Sequence, residues 1–154
     1  MLMQGTAQEG SLRDMVVQEL GVAAVEEPER MVEGDYGTVG AGEYWVAALC
    51  VHELVTNSIK YGALAKGGQL TCRISTGGGE RSILWHERLA ERIETGIDGF
   101  GSDFVATMLA RNLRGRVERR IDGCEVHVVL AWPTPAEALP ATAAGREPEA
   151  QLSP

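Results

Sequence analysis

The sequence of 154 residues is poor in cysteine, in aromatic residues and in positive charge. Its three cysteines are far apart, and no CxxC motif or Cys/His pair has zinc-site spacing, so we expect buried thiols in a reducing compartment. No apolar run approaches the ~20 residues of a transmembrane helix. The net charge of -8 argues against partners such as nucleic acid or an anionic membrane, because phosphate groups would be repelled.

What is present fits one globular domain, since 44% of the residues are hydrophobic and 23% are charged. Residues 1–10 lack a regular pattern, and residues 133–154 are rich in Pro, Ala and Glu. Both ends are therefore predicted to be disordered, which leaves residues 11–132 as the folded domain. The N-terminus has no basic end followed by an apolar core, so we expect no secretory signal peptide and a cytoplasmic location.

The spacing of apolar residues predicts both helices and hairpins. Helical spacing predicts helices over 11–23, 43–64 and 103–115, the last closed by Gly115 as its C-cap. A short apolar pair predicts a short strand at Met31–Val32, and alternating spacing predicts two β-hairpins, over 67–88 and 116–132. Helices that arrive between hairpins indicate an α+β fold, an α/β sandwich in which one mixed, mostly antiparallel sheet carries the helices on one face.

The stretch "HELVTNSIKYG", residues 52–62, places polar groups within an apolar helical run. On a helix Glu53, Asn57 and either Lys60 or Tyr61 share one face. The opposite face is expected to point toward the core with Val51, Leu54, Val55 and Ile59. Such a stripe is ordinary for a surface helix, so a solvated face and a ligand site both remain open at this point.

A second stretch, "GFGS" at residues 99–102, precedes the third predicted helix. Glycines there let backbone N–H groups approach an anion at the positive helix N-terminus. A carboxylate and an Asn on one helix would suit a hydrated Mg²⁺, which accepts few protein ligands and relies on substrate phosphates. Together these are the parts of a nucleotide site.

In order and spacing, "HELVTNSIKYGAL", "LWHE" and "GFGSDFV" resemble the ATP-binding domain of the HWE class of bacterial sensor histidine kinases. The residues that name the class would be His52, Trp85 and Glu87. The class belongs to an ATPase group shared with gyrase, the Hsp90 chaperones and the MutL proteins. The resemblance covers about residues 11–132 and implies the Bergerat-type ATPase fold, with ATP and Mg²⁺ as cofactors.

The resemblance also implies roles for individual residues. Asn57 would bind Mg²⁺, and Glu53 would be the catalytic group that orients or activates water or the metal shell. Lys60 and Tyr61 would face the phosphates or the ribose. Glu87 would accept from the adenine amino group. A second glycine box that binds phosphate would comprise Gly99, Phe100, Gly101 and Ser102.

The chain departs from the family after Glu87, where Leu89 and Ala90 replace glycines. Glycine there lets the backbone approach the adenine closely. Leu89 could point into the adenine slot and weaken ATP binding, turn aside and stack on the ring, or point outward as an exposed partner contact. Weak nucleotide affinity is therefore expected.

The sequence has three histidines, and none precedes His52. His86 and His127 lie in strand patterns and are expected to be structural. We therefore expect a kinase in two-component or stress signalling that phosphorylates a His or Ser of a separate protein. That partner would be a response regulator, a phosphotransfer protein or a sigma-factor regulator. The alternative is a stand-alone anti-sigma-like or pseudokinase binding module with weak or no ATP binding, which could act as a homodimer.

Overall fold

The computed structural model describes residues 10–34, 38–93 and 102–135. Its helices are α1 (Leu12–Val22), α2 (Ala41–Tyr61), α3 (Ala63–Lys66) and α4 (Ser102–Leu113), with one 3-10 turn at Pro28–Arg30. Its strands are β1 (Gly10–Ser11), β2 (Val32–Glu33), β3 (Thr38–Val39), β4 (Gln69–Gly77), β5 (Glu80–Arg88), β6 (Arg116–Asp122) and β7 (Glu125–Pro133). The segments predicted to be disordered lie almost entirely outside the described residues.

Five strands form one sheet in the order β2-β4-β5-β7-β6. The β4–β5 and β6–β7 pairs are the two predicted hairpins, and β5 and β7 pair antiparallel between them. Only β2 runs parallel to its neighbour, β4. A separate two-stranded sheet joins β1 to β3. The prediction of a mixed, mostly antiparallel sheet is confirmed.

One face of the sheet carries the core because alternate side chains of the central strands point the same way. The residues of β4, β5 and β7 that belong to this core are Leu70, Cys72, Ile74, Ile83, Trp85, Val126, Val128, Leu130 and Trp132. The helices cover this face, with α2 packed between α1 and α4. This confirms that the helices lie on one face. We call the opposite face, which carries His86 and His127, the outer face.

The predicted first helix is confirmed as α1. The Ser11 hydroxyl accepts a hydrogen bond from the Asp14 N–H at 3.3 Å, which caps the helix. Its buried residues are those that the spacing selected: Leu12, Met15, Val16 and Leu20.

None of the helices within the described residues is long and apolar enough to span a membrane.

The long second helix is also confirmed, but its bounds differ from those predicted. It begins at Ala41 and ends at Tyr61, and Gly62 separates it from α3. Ile59, expected in the core, is 47% exposed. Ser58, on the same turn, faces the sheet through its hydrogen bond to Glu87, and the next residue along the helix points about 100° away from it.

The end of α4 also differs from the prediction. Arg114, not Gly115, has the left-handed conformation, with φ of 54°. Gly115 is required for another reason, because a Cβ there would lie 2.6 Å from the Ala131 carbonyl oxygen of β7. Glycine is needed here because the backbone passes close to β7. The sequence pattern alone could not distinguish this cause from a left-handed helix cap.

The expectation of buried thiols is confirmed at two of the three cysteines. Cys50 on α2 and Cys72 on β4 are buried, and this burial raises the pKa of each thiol to about 12. For Cys50 the nearby Glu53 charge adds to the effect of burial. Cys124 is only half-buried, at the turn between β6 and β7.

Candidate functional site

The polar stripe of α2 is divided between buried and exposed positions. Asn57 is only 6% exposed and Glu53 is half-buried, whereas Lys60 and Tyr61 are exposed. Neither Glu53 nor Lys60 forms a hydrogen bond or ion pair within the part of the chain that the structure describes. The stripe therefore presents a carboxylate and an ammonium group that the described fold does not use.

The amide group of Asn57 is the least satisfied part of the stripe. Its Nδ2 atom is buried and has no hydrogen-bond partner among the described residues. A buried polar group left without a partner costs about 1–3 kcal/mol, so such groups call for an explanation. An Asn amide can be turned over so that its oxygen and nitrogen exchange places. The atom without a partner among the described residues is therefore either the nitrogen or the oxygen of this amide.

Glu87, at the end of β5, is 1% exposed and reaches the C-terminal end of α2. Its Oε1 atom accepts hydrogen bonds from the Ser58 hydroxyl and, at 3.0 Å, from the Ala63 N–H. Ser58 Oγ in turn accepts from the Leu64 N–H at 3.2 Å. This network fixes the carboxylate at the junction of α2 and α3.

Gly62 makes this junction possible because there is no space for a side chain. A Cβ at Gly62 would collide with Glu87 Oε1 and would lie 2.8 Å from the Cα of Ser58. The break between α2 and α3 and the position of Glu87 therefore depend on the same glycine.

Leu89 is buried rather than exposed. Its side chain is 6% exposed and belongs to the hydrophobic core, and its N–H donates to the Cys124 carbonyl at 2.8 Å. The version in which Leu89 points outward as an exposed partner contact is therefore wrong. Leu89 lies two residues beyond Glu87, and because side chains alternate along this edge it shares the inner face with that carboxylate.

His52 and Trp85, two of the residues that would name the class, lie in different surroundings. His52 is exposed, and its Nδ1 lies 2.9 Å from Glu19 Oε2, a contact that links α2 to α1. Trp85 is fully buried in the core, and its Nε1 has no hydrogen-bond partner within the described ranges.

The second glycine box is only partly described. Gly99, Phe100 and Gly101 lie outside the described residues, and Ser102 begins α4 with a side chain that is also outside them. What the structure does show is that α4, the helix that follows the box, packs against α2. The phosphate-binding role of the box stays a prediction.

Sequence reasoning missed Ser58 and the backbone N–H of Ala63. A signal for Ser58 was present, because a Ser within the apolar part of a helix must find a buried partner. What could not be read from the sequence was that the partner is Glu87, which lies 29 positions further along the chain.

Solved structures share this fold, although no protein-family model and no curated protein matches the sequence. The catalytic domain of histidine kinase ThkA superposes with a TM-score of 0.64 at 12% identity, over 83% of this chain and 95% of that domain. The fold is that of a histidine kinase catalytic domain.

Two further histidine kinase structures extend the comparison. The kinase domain of a blue-light activated histidine kinase from Erythrobacter litoralis has a TM-score of 0.60 at 15% identity, covering 80% of this chain and 63% of that one. ThkA in complex with the response regulator TrrA has a TM-score of 0.63 at 11% identity, covering 86% and 43%. At these identities the likeness concerns the kinase fold, and this chain corresponds to less than half of the ThkA chain in that complex.

Proposed function

We propose that this histidine kinase fold binds ATP with Mg²⁺ and is the catalytic domain of an HWE-class kinase. The observation that carries the proposal is the buried amide of Asn57, which has no partner among the described residues and lies on the helix where the HWE motif expects a metal ligand. A buried amide with no partner among the described residues fits a site that a ligand completes.

The adenine end of the proposed site is built around Glu87. Its Oε1 is saturated by Ser58 and Ala63, and the other carboxylate oxygen accepts no hydrogen bond from the described residues. A fixed carboxylate with one free oxygen suits the exocyclic amino group of adenine, which needs one acceptor. Ser58 would act as a positioning residue, since it holds the carboxylate and need not touch the base.

The phosphate end would be formed by the stripe of α2. The Asn57 amide oxygen would be the protein ligand of Mg²⁺, an ion that binds phosphate oxygens and neutralises their charge. Glu53, which has no partner within the described residues, would hold or orient a water molecule or a proton at this end. Lys60 and Tyr61 are exposed on the last turn of α2, where they could meet phosphate or ribose.

The phosphoacceptor is proposed to be a His or Ser of another protein. The three histidines of the chain lie on α2, β5 and β7, where His52 pairs with Glu19 and His86 stacks on His127. The complex of the kinase ThkA with the response regulator TrrA supports a signalling protein as the partner class. A cytoplasmic location is proposed with it, because such partners act there.

A second candidate function is a binding module with weak or no ATP binding, such as an anti-sigma-like or pseudokinase domain. The observation that favours it is Leu89, whose buried side chain lies next to Glu87 where glycine is expected. Added bulk at a close-packed position typically costs about 1–3 kcal/mol.

Calorimetric titration with ATP and Mg²⁺ separates the two functions. We expect binding that needs Mg²⁺ and that falls by ~10-fold or more in Asn57→Ala, because no other amide on that face replaces the metal ligand. Asn112→Ala is the matched control, since this exposed Asn of α4 bonds, among the described residues, only to Met108. If the unmodified chain binds no ATP, the kinase proposal is wrong and the binding module remains. Unchanged affinity in Asn57→Ala would remove the role given to that residue.

A further inference from the structure

The outer face of the sheet carries two histidines that the proposed function does not use. Strand alternation directs Trp85 and Glu87 toward the helices and turns His86 to the other side of β5. The same alternation places His127 of β7 outward, and the strand register sets it directly opposite His86. Glu125, two residues before His127, therefore shares its face.

These three side chains converge on one point. The imidazole rings of His86 and His127 stack with centroids 4.3 Å apart and an interplanar angle of 9°. Glu125 reaches both rings, with its Oε1 3.4 Å from Nε2 of His86 and its Oε2 4.0 Å from Nε2 of His127. One donor atom from each residue lies within 4.8 Å of the others. All three residues are half-buried.

The polar atoms of this cluster are incompletely satisfied. Nε2 of His86 is shielded from solvent and has no hydrogen-bond partner within the described ranges, although Glu125 lies 3.4 Å away. This distance would allow a hydrogen bond, but the angle at which the carboxylate approaches the ring nitrogen does not. A buried ring nitrogen without a partner carries a desolvation cost, and a bound cation would remove it.

We propose that His86, His127 and Glu125 form a binding site for a divalent transition metal ion, with Zn²⁺ as the best fit. Two imidazole nitrogens and one carboxylate are three-ligand Zn²⁺ chemistry, which leaves a fourth position for water or another ligand. The same donors would take Co²⁺, Ni²⁺ or Cu²⁺, whereas Mg²⁺ and Ca²⁺ prefer oxygen ligands only.

Binding requires the two rings to give up their stacked arrangement, because each Zn–N bond lies in the plane of its ring and two nearly parallel rings cannot both point at one ion. Zn–N bonds of about 2.0–2.1 Å place two tetrahedral donor nitrogens about 3.3 Å apart, so the rings must tilt toward each other at their Nε2 edges. The rest of the site is already in position, because both histidines are fixed on neighbouring strands of a rigid hairpin sheet.

Arg88 fixes the orientation in which the Glu125 carboxylate would meet a metal ion. It donates to Glu125 Oε1 through Nε at 3.3 Å and through Nη2 at 3.1 Å. This contact lowers the pKa of Glu125 and orients its carboxylate, leaving Oε2 directed toward His127. Hydrogen-bonded carboxylates of this kind are typical neighbours of metal sites. The Arg88 charge opposes a cation, so the site should bind reversibly rather than act as a structural zinc centre.

No metal motif is visible in the sequence here, because His86 and His127 lie on different hairpins. The site is also independent of the proposed nucleotide function, since Glu87 and the helices occupy the opposite face of the sheet. Either proposal can therefore fail without the other.

Zinc titration of the chelator-treated full chain, followed by NMR of the histidine ring nitrogens, tests the proposal. We expect the His86 and His127 signals to shift together and to saturate at one Zn²⁺ per chain. His52, which pairs with Glu19 on the helical side, is the internal control and should not shift. Signals that stay unchanged at millimolar Zn²⁺, or that shift only at His52, would overturn the proposal.

Variants give a second, quantitative reading by calorimetry with Zn²⁺ as the probe. We expect His86→Gln and His127→Gln each to lose at least ~10-fold in Zn²⁺ affinity, as metal-shell changes do. His52→Gln, the matched control, should retain it. Equal affinity in all three variants would contradict the site, and the ring signals of the unsubstituted chain decide the question if a variant fails to fold.

Discussion

Asn57 and Ser58 are neighbours on α2, yet their side chains differ in hydrogen bonding. Ser58 points to β5 and is satisfied by Glu87, whereas the amide of Asn57 lacks a partner within the described residues. Successive residues of a helix point about 100° apart, so one helix turn can serve both the core and a ligand. The resemblance to a kinase motif indicated Asn57 and Glu87. It did not indicate Ser58, because that bond exists only once a strand and a helix meet.

Leu89 offers a test of how the adenine end is shaped. It is buried on the same face as Glu87, so its side chain occupies room beside the proposed adenine slot. We expect Leu89→Gly to tighten ATP binding by ~5- to 150-fold in calorimetry, since overpacking costs ~1–3 kcal/mol and 1.4 kcal/mol is tenfold. Its removal should also destabilise the fold by ~2–5 kcal/mol, as large-to-small core changes do.

The control for this prediction is a leucine in the same core but away from β5. Leu54→Ala on α2 should lower stability by a similar ~2–5 kcal/mol. Leu54 is 2% exposed and faces the sheet, so ATP affinity should not rise in this variant. Weaker ATP binding in Leu89→Gly would mean that Leu89 forms part of the slot itself.

At the scale of the elements, α2 is attached to the sheet at both ends. Near its C-terminus Ser58 bonds to Glu87 of β5. Near its N-terminus Glu43 Oε1 accepts from Trp132 Nε1 of β7 at 2.7 Å and lies 2.8 Å from Arg81 Nε of β5. The Glu43 and Arg81 side chains are only 4% and 7% exposed, so this is a buried ion pair. The helix that carries the Asn57 stripe is thus held in a fixed position over two strands.

We expect Glu43→Gln to lower the free energy of unfolding by ~3–5 kcal/mol in urea denaturation, because it leaves the buried Arg81 guanidinium without its counter-charge. Glu80→Gln is the matched control. Glu80 also pairs with an arginine, Arg116, but both side chains are solvent-accessible, and exposed pairs contribute little. Equal effects of the two substitutions would show that burial of the Glu43 pair does not matter.

The elements that sequence patterns predicted are the ones with local periodicity. Both hairpins and the three longer helices follow from alternation or from helical spacing, and their partners are close in sequence. The β1–β3 pair and the parallel β2–β4 pair were not predicted. β1, β2 and β3 have only two residues each, which is too short for alternation to indicate a partner, and the strands with which they pair are remote in sequence. The buried contacts of Glu43 likewise could not be predicted, because in the sequence it looks like an ordinary acidic residue of a helix's first turn.

At the scale of the whole molecule, the kinase fold persists at identities of 11–15%. A packed core tolerates wide substitution when the pattern and total volume are kept, so the layers survive while the residues change. What the layers alone do not determine is the chemistry of the cleft. In the proposed function that chemistry rests on Asn57, Glu87 and Leu89, and the fold is compatible with either a kinase or a binding module.

Ligand-linked stability of the whole domain gives the last prediction. A ligand that binds only the native state adds ~2.7 kcal/mol at 100 times its Kd. For a domain of about this size each kcal/mol raises Tm by ~2–4 °C, so we expect ATP with Mg²⁺ to raise Tm by roughly 5–10 °C at that saturation. Because Leu89 should weaken affinity, the ATP concentration must be set from the calorimetric Kd. Chelating Mg²⁺ should remove the shift, as should Asn57→Ala at the same ATP concentration, whereas Asn112→Ala should keep it. A shift of equal size without Mg²⁺ would mean that ATP binds the native domain without the metal ligand assigned to Asn57.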